Sequence, residues 1–232
     1  AEYQLEELIR FGQNVSSMAF DEAAGLWRIE TTHGECHTAR AVVMAPGPLS
    51  NASLPKMAGI ESFKGKMIHS AMWDHSYDFA GKRVAVIGTG ASGVQIIPEL
   101  VKVADKVTVF QRTPGWVMPR VDFAPSALMK RLFRRLPITQ KAVREGMFWI
   151  HEAMATGIVW NTPVTPLIER IAKAHLKRQV KDRWLRRQLT PDFTIGCKRV
   201  LMSNDYFRAL QAPNAKLITW PIATLSKDGV RT

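Results

Sequence analysis

The glycines at 88, 90 and 93, in "GTGASG", are spaced for phosphate chemistry. They follow the apolar, β-branched run "KRVAVIG" at 82–88. They precede a stretch with apolar residues at Val94, Ile97, Leu100, Val101 and Ala104. The first pattern is that of a buried strand, the second that of a helix. The first glycine permits a sharp turn out of the strand. The second lets backbone approach a pyrophosphate, and the third lets helix and strand pack closely. The helix that follows offers unpaired N–H groups and a positive dipole end to an anion. Three glycines alone are weak evidence, but strand–turn–helix is the context the motif requires. Gly88, Thr89, Gly90, Ala91, Ser92, Gly93 and, one turn later, Gln95 are therefore assigned to a bound dinucleotide.

The next strand, "KVTVFQR" at 106–112, completes a βαβ unit. Units that bind NAD carry an acid near the end of this strand, where it bonds the ribose 2′-OH. Here the strand ends in Gln111, Arg112 and Thr113. An arginine stays protonated and matches a phosphate with several donors, so Arg112 suits a 2′-phosphate. The expected dinucleotide is NADP(H), with Arg112 and Thr113 at its phosphate. The competing reading is an exposed strand-end arginine.

Two other stretches combine reactive residue types. "FKGKMIHSAMWD" at 63–74 spaces Phe63, Gly65, His69, Trp73 and Asp74 without helix or strand periodicity. A lone histidine is most often structural and a lone tryptophan most often core, and periodicity goes no further. "GCKRVLMSNDYF" at 196–207 sets Lys198 beside Arg199. On residue type alone this pair is as readily an exposed basic pair as a site. On a regular strand the two would face opposite ways.

The elements around these residues read in order. Residues 1–10 read as the end of a helix. Residues 14–41 read as short strands separated by "DEAAG" and "THGE" turns. "AVVMAPG" at 41–47 reads as a buried parallel strand, and "PLSNASLP" at 48–55 as a linker. Pro98 is expected early in its helix, where proline does least damage. From about 121 to 189 the pattern is helical, with one helix ended by Pro137 and another capped by Thr165 with Pro166 as its first residue. The apolar stripe of that last helix is Ile168, Ala172, Leu176, Val180 and Trp184. "AKLITW" at 215–220 is a strand, and "KDGVRT" at the end is a turn into a strand that is missing.

Composition excludes several classes. The 232 residues are 46% hydrophobic and 22% charged, as in an ordinary globular protein. No apolar run approaches the ~18 residues of a membrane helix, so no integral membrane segment is expected. Cys36 and Cys197 form no CxxC, which argues against a metal ribbon, a redox dithiol or a disulfide scaffold. No metal is expected, and a reducing cytoplasm is the expected location. Of the net charge of +12, +10 falls between Lys130 and Arg187. That concentration fits the solvated face of a helical segment better than a nucleic-acid surface. The chain does not begin with Met and opens in mid-pattern, so a piece of a longer protein is expected.

The full string from Phe63 to Asp74 resembles the F-x-G-x-x-x-H-x-x-x-W-(P/D) fingerprint of Baeyer–Villiger monooxygenases at every fixed position. "RVAVIGTGASGVQIIPEL", "VFQRTPGWVMP" and "GCKRVLMSNDYF" are similar to further segments of that family. "MAPGPLS" matches less well, with Pro46 where the family has Thr. N- and S-oxygenating flavin monooxygenases have a related string that differs at its end, and Trp73-Asp74 favours the Baeyer–Villiger branch.

The resemblance implies an α/β fold: a Rossmann-like three-layer NADP-binding domain at 81–232 with a helical insertion at about 121–189. It implies part of an FAD-binding domain, a β-meander and return strand, at 1–50, and a fingerprint linker at 51–80. It implies FAD and NADP(H) as cofactors, O2 and a small-molecule ketone as substrates, and an ester or lactone formed through a C4a-peroxyflavin. Arg199 then resembles the catalytic arginine, Lys198 a contact of the 2′-phosphate, and His69 a residue coupling domain movement to catalysis. Gly47 falls at the flavin. The family's own FAD-binding GxGxxG has no counterpart in this chain, so the remaining flavin-domain segments are expected elsewhere in the polypeptide. The alternatives are an N- or S-oxygenating monooxygenase, or an NADP-binding module without activity of its own. No nucleic-acid partner is implied.

Arg112→Ala is predicted to weaken NADPH binding much more than NADH binding, in parallel fluorescence titrations. Equal losses would remove Arg112 from the 2′-phosphate.

Overall fold

The computed structural model describes residues 5–47, 51–120, 122, 124–160 and 162–232, in two compact units, 1–52 and 53–232. In the first unit, one 3-10 turn, Leu5–Leu8, stands where a helix end was expected. Three strands, β1 (Val15–Asp21), β2 (Leu26–Thr31) and β3 (Cys36–Ala39), then form an antiparallel meander. The Asp21 carboxylate closes the first hairpin by accepting from the N–H groups of Ala23 and Ala24, both at 3.0 Å. Phe20 and Trp27 pair across it, with ring centroids 5.4 Å apart. Residues 41–47 are not a strand: Val43 is 88% exposed, and the run pairs with nothing among the described residues. An apolar run becomes a parallel strand only with a neighbouring strand to satisfy its backbone. Part of the linker, 48–50, lies outside the described residues.

The second unit is built on a parallel sheet of β4 (Arg83–Ile87), β5 (Lys106–Phe110) and β8 (Ala215–Ile218), in that order. β4 (Arg83–Ile87) leads through the glycine turn into α1 (Ala91–Val103), and β5 (Lys106–Phe110) returns beside β4. This is the expected Rossmann-like βαβ unit. One sheet face, with Val107 and Val109 fully buried, packs on Val94, Ile97 and Leu100 of α1. α1 starts at Ala91, so Pro98 is central in it instead of early.

Between β5 and its parallel partner β8 (Ala215–Ile218) runs a long crossover. It contains β6 (Val117–Met118), α2 (Ala127–Arg135), α3 (Pro137–Trp160), α4 (Thr165–Gln179), α5 (Arg183–Leu189), β7 (Leu201–Met202) and α6 (Tyr206–Ala209). β6 and β7 pair in parallel as a separate ribbon. Ser126 caps α2, accepting from the Met129 N–H at 3.2 Å. α4 is capped by Val164, which makes Thr165 and Pro166 its first two helical residues. The Thr165 hydroxyl donates instead to the Gly157 carbonyl of α3, a buried tie between helices.

Ile168, Ala172, Leu176 and Val180 are buried as expected, but Trp184 is 65% exposed. The stripe breaks because the helix does: Val180 is extended, and Asp182 caps a new helix by accepting from the Leu185 N–H at 2.6 Å. The strand read as missing at the end is present. β9 (Thr224–Ser226) and β10 (Gly229–Arg231) form a hairpin turned by Lys227 and Asp228.

Residues 63–79 form a looped segment of this unit. Lys66 Nζ meets Asp74 Oδ2 at 2.8 Å. The other oxygen, Asp74 Oδ1, accepts from the Ser76 N–H at 3.0 Å and the Ser76 hydroxyl at 2.6 Å. The hydrogen bond from Lys66 and then those from Ser76 hold the Asp74 carboxyl down at about 2, and the same contact pushes Lys66 up. A carboxylate held low contributes above its ordinary range, near 3.8, and loses its contribution as pH falls through about 2. The loop is therefore clasped throughout the neutral range. Trp73 stacks on Phe79 with ring centroids 5.3 Å apart, and Tyr77 meets Phe79 edge-on.

Two outcomes follow from this packing. Ile97→Ala, at a fully buried site, lowers unfolding stability by about 2–5 kcal/mol in urea titrations. Lys66→Ala raises the Asp74 midpoint part of the way back towards 3.8 in a carboxyl 13C NMR titration; an unmoved midpoint would leave Ser76 as its sole cause.

Candidate functional site

The glycine turn is shaped by contacts that only glycine permits. Gly88 has φ +101°, in the left-handed region, and its N–H donates to the Phe110 carbonyl of β5 at 3.0 Å. A Cβ on Gly93 would lie 2.6 Å from the Gly88 carbonyl oxygen, so a side chain there would push α1 off β4. Gly90 caps α1, and a Cβ there would meet nothing within 4 Å. That side of the turn is open for a ligand to approach. Ala91 and Ser92, in the first turn of α1, are exposed. Thr89 is buried, only 8% exposed. Gln95 is exposed and donates to the Ala91 carbonyl at 2.9 Å, which leaves its side-chain oxygen available.

A cleft of about 840 Å³ opens on this turn. Gly88, Gly90 and Ser92 line it together with Lys66, His69 and Trp73, so the structure brings the fingerprint segment and the glycine turn to one cavity. His69 is half-buried, and its Nδ1 lies 3.1 Å from the Ala71 N–H. A nitrogen that accepts from a backbone N–H carries no proton, so the neutral imidazole bears its proton on Nε2. His69 is thus set to donate from Nε2. The Met72 N–H donates to the His69 carbonyl at 2.8 Å, closing a turn within the span that Lys66 and Asp74 clasp.

The cationic candidates lie in other segments, outside regular elements. Arg112 and Thr113 precede β6, Lys198 and Arg199 precede β7, and parallel pairing of Val117 with Leu201 sets both segments on the N-terminal side of one ribbon. Arg112, Lys198 and Arg199 are exposed and make no ion pair among the described residues. Lys198 Nζ stands 4.6 Å from the centre of the Phe193 ring, a cation–π contact. Lys198 lies in a bend outside β7, so strict strand alternation does not apply to the pair. Thr89, Gln95, Arg112, Thr113, Lys198 and Arg199 do not line the cleft. Gly47 lies in the other unit, exposed, with φ +71°.

The sequence reading missed three residues. Lys66 clasps Asp74 from eight positions away, a spacing with no periodic meaning. Gln111 is 3% exposed and donates to the Gln188 carbonyl at 2.9 Å, tying β5 to α5. Tyr206, in "NDYF", is 2% exposed against the core beneath the sheet. Burial pushes its phenol far up, with Thr89 acting the other way.

Known proteins resemble this chain over most of its length. The sequence pattern of the family described as FMO-like, flavin-binding monooxygenase-like, matches residues 1–138. A Baeyer–Villiger monooxygenase of Pseudomonas aeruginosa is 42% identical over 228 residues, 98% of this chain and 43% of its own length. Cyclohexanone monooxygenase from Rhodococcus sp. Phi1, solved bound to NADP+, superposes with a TM-score of 0.82 at 26% identity, over 100% of this chain and 50% of that one. The OTEMO enzyme, solved in complex with FAD and NADP, superposes with a TM-score of 0.78 at 29% identity, over 96% of this chain and 50% of that one. The chain thus spans less than half the length of the curated relative and about half that of the solved structures. With its family pattern covering more than half its length, the chain belongs to the flavin-binding monooxygenase-like family.

Proposed function

We propose that this chain is the NADP(H)-binding part of an NADPH-dependent flavoprotein monooxygenase that inserts one oxygen atom of O2 into a ketone, giving an ester or lactone. The observation that carries this reading is the shared cleft, where the fingerprint residues His69 and Trp73 meet the glycine turn. The similarity to Baeyer–Villiger monooxygenases over 98% of the chain supports the same branch.

The residues present fit a bound dinucleotide. Gly90 leaves its side of the turn open, the Gly88–Gly93 contact leaves no room for a side chain, and the N-terminus of α1 faces the same cavity. Gly88, Thr89, Gly90, Ala91, Ser92 and Gly93 would hold the pyrophosphate, largely through backbone N–H groups, with Gln95 beside them. Arg112, Thr113 and Lys198 would hold the 2′-phosphate. Bound FAD and NADPH would supply the electrons and activate O2, chemistry that no side chain offers. Gly47 is the position this chain offers to the flavin.

The protein's part is position and charge. Arg199 is a permanent cation, suited to negative charge developing on the ketone oxygen. His69, inside the span that Lys66 and Asp74 clasp and with Nδ1 accepting from the Ala71 N–H, is suited to a conformational role at the cleft. We place the enzyme in the cytoplasm, where its two free, exposed cysteines stay reduced. Its small-molecule partners are a ketone and O2, and no nucleic-acid partner is proposed.

The test is product analysis of the full-length enzyme with NADPH, 18O2 and a panel of ketones and amines. The expected result is an ester or lactone carrying one labelled oxygen, and amine N-oxide without ester overturns the reading. Arg199→Ala is expected to lower kcat by about a hundredfold or more. The 232-residue chain alone is expected to bind NADPH without turnover.

A further inference from the structure

Tyr206 opens α6 and is anchored there by Ser203, whose hydroxyl oxygen accepts from the N–H groups of Asp205 and Tyr206 at 3.3 and 3.1 Å. Its ring is packed in the core, and its hydroxyl oxygen is buried without a hydrogen-bond partner among the described residues. A buried hydroxyl in that state is less stable than the hydrogen of a phenylalanine in the same place. Its neighbour is the side chain of Thr89, itself buried, at the centre of the glycine turn. As the chain stands the Tyr206 hydroxyl has no hydrogen-bond partner among the described residues, although Thr89 is the side chain that acts on it. The unmatched hydroxyl therefore belongs to the core that α1 also packs into.

We propose that Tyr206 is a positioning residue for the phosphate-binding turn, its hydroxyl engaging Thr89 and fixing the Thr89–Ala91 backbone when a dinucleotide binds. This rests on the nucleotide reading above. Tyr206 does not touch the ligand; it acts through Thr89. Because burial keeps the phenol protonated, it has a proton to donate to the Thr89 hydroxyl. The pyrophosphate is common to NADPH and NADH, so the effect is independent of the 2′-phosphate.

The experiment is Tyr206→Phe in the full-length enzyme, with NADPH and NADH titrations and a thermal melt on the same sample. The expected result is a Kd raised about three- to tenfold for both nucleotides, with Tm unchanged or higher. A purely structural hydroxyl would move Tm alone, so an unchanged Kd overturns the proposal. A loss confined to NADPH also overturns it, because it places the effect at the 2′-phosphate. Thr89→Val is the second variant. The double variant is expected to bind no more weakly than the weaker single one, and additive losses overturn the route through Thr89. Failure of the unaltered chain to bind NADPH would overturn the nucleotide reading itself, an outcome distinct from equal binding by the two forms.

Discussion

Gly93 comes so near the Gly88 carbonyl that a Cβ would sit 2.6 Å from its oxygen. It sets the distance between α1 and β4. With that distance fixed, Val94, Ile97 and Leu100 reach the buried face of β5, and the N-terminus of α1 stands beside the strand ends. Function and stability draw on the same contact. The glycines that leave backbone N–H groups open to phosphate also allow the helix to lie close enough to bury its apolar side.

Two tertiary devices complete the site around that contact. The Lys66–Asp74 clasp shapes a segment that has no regular secondary structure of its own, and it does so with an exposed ion pair reinforced by Ser76. An isolated surface pair contributes little to stability. Its effect here is local: it restrains the span that includes His69 and Trp73, both of which face the cleft. The second device is the β6–β7 ribbon. Its two strands are only two residues each, yet their parallel pairing aligns segments more than eighty positions apart, each carrying cations.

Much of this was legible before the structure. The βαβ unit was readable because strand, glycine turn and helix each have a strong local signature, and all three agree. The helical stretch from 127 to 189 was readable from its apolar spacing. Errors came where a local pattern was overruled by a partner. Residues 41–47 look like a buried strand but have no strand to pair with among the described residues. Trp184 continues a spacing of four, but Asp182 restarts the helix and turns it outward. Thr165 has the residue type of a helix cap, yet its hydroxyl is taken by Gly157 and the cap moves back to Val164.

The sequence by itself determined the βαβ unit, the glycine turn and the family, because these rest on residue types at short, fixed spacings. Tertiary structure decided which of them share a cavity. Parallel pairing and the Lys66–Asp74 contact join residues by distances that no periodicity encodes. The fingerprint and the glycine turn line one cleft, while Arg112, Lys198 and Arg199, in the segments that lead into β6 and β7, do not line it. The burial of the Tyr206 hydroxyl beside Thr89 is likewise a product of packing. Tyr206 and Thr89 are 117 positions apart in the chain and adjacent only once α6 folds against α1.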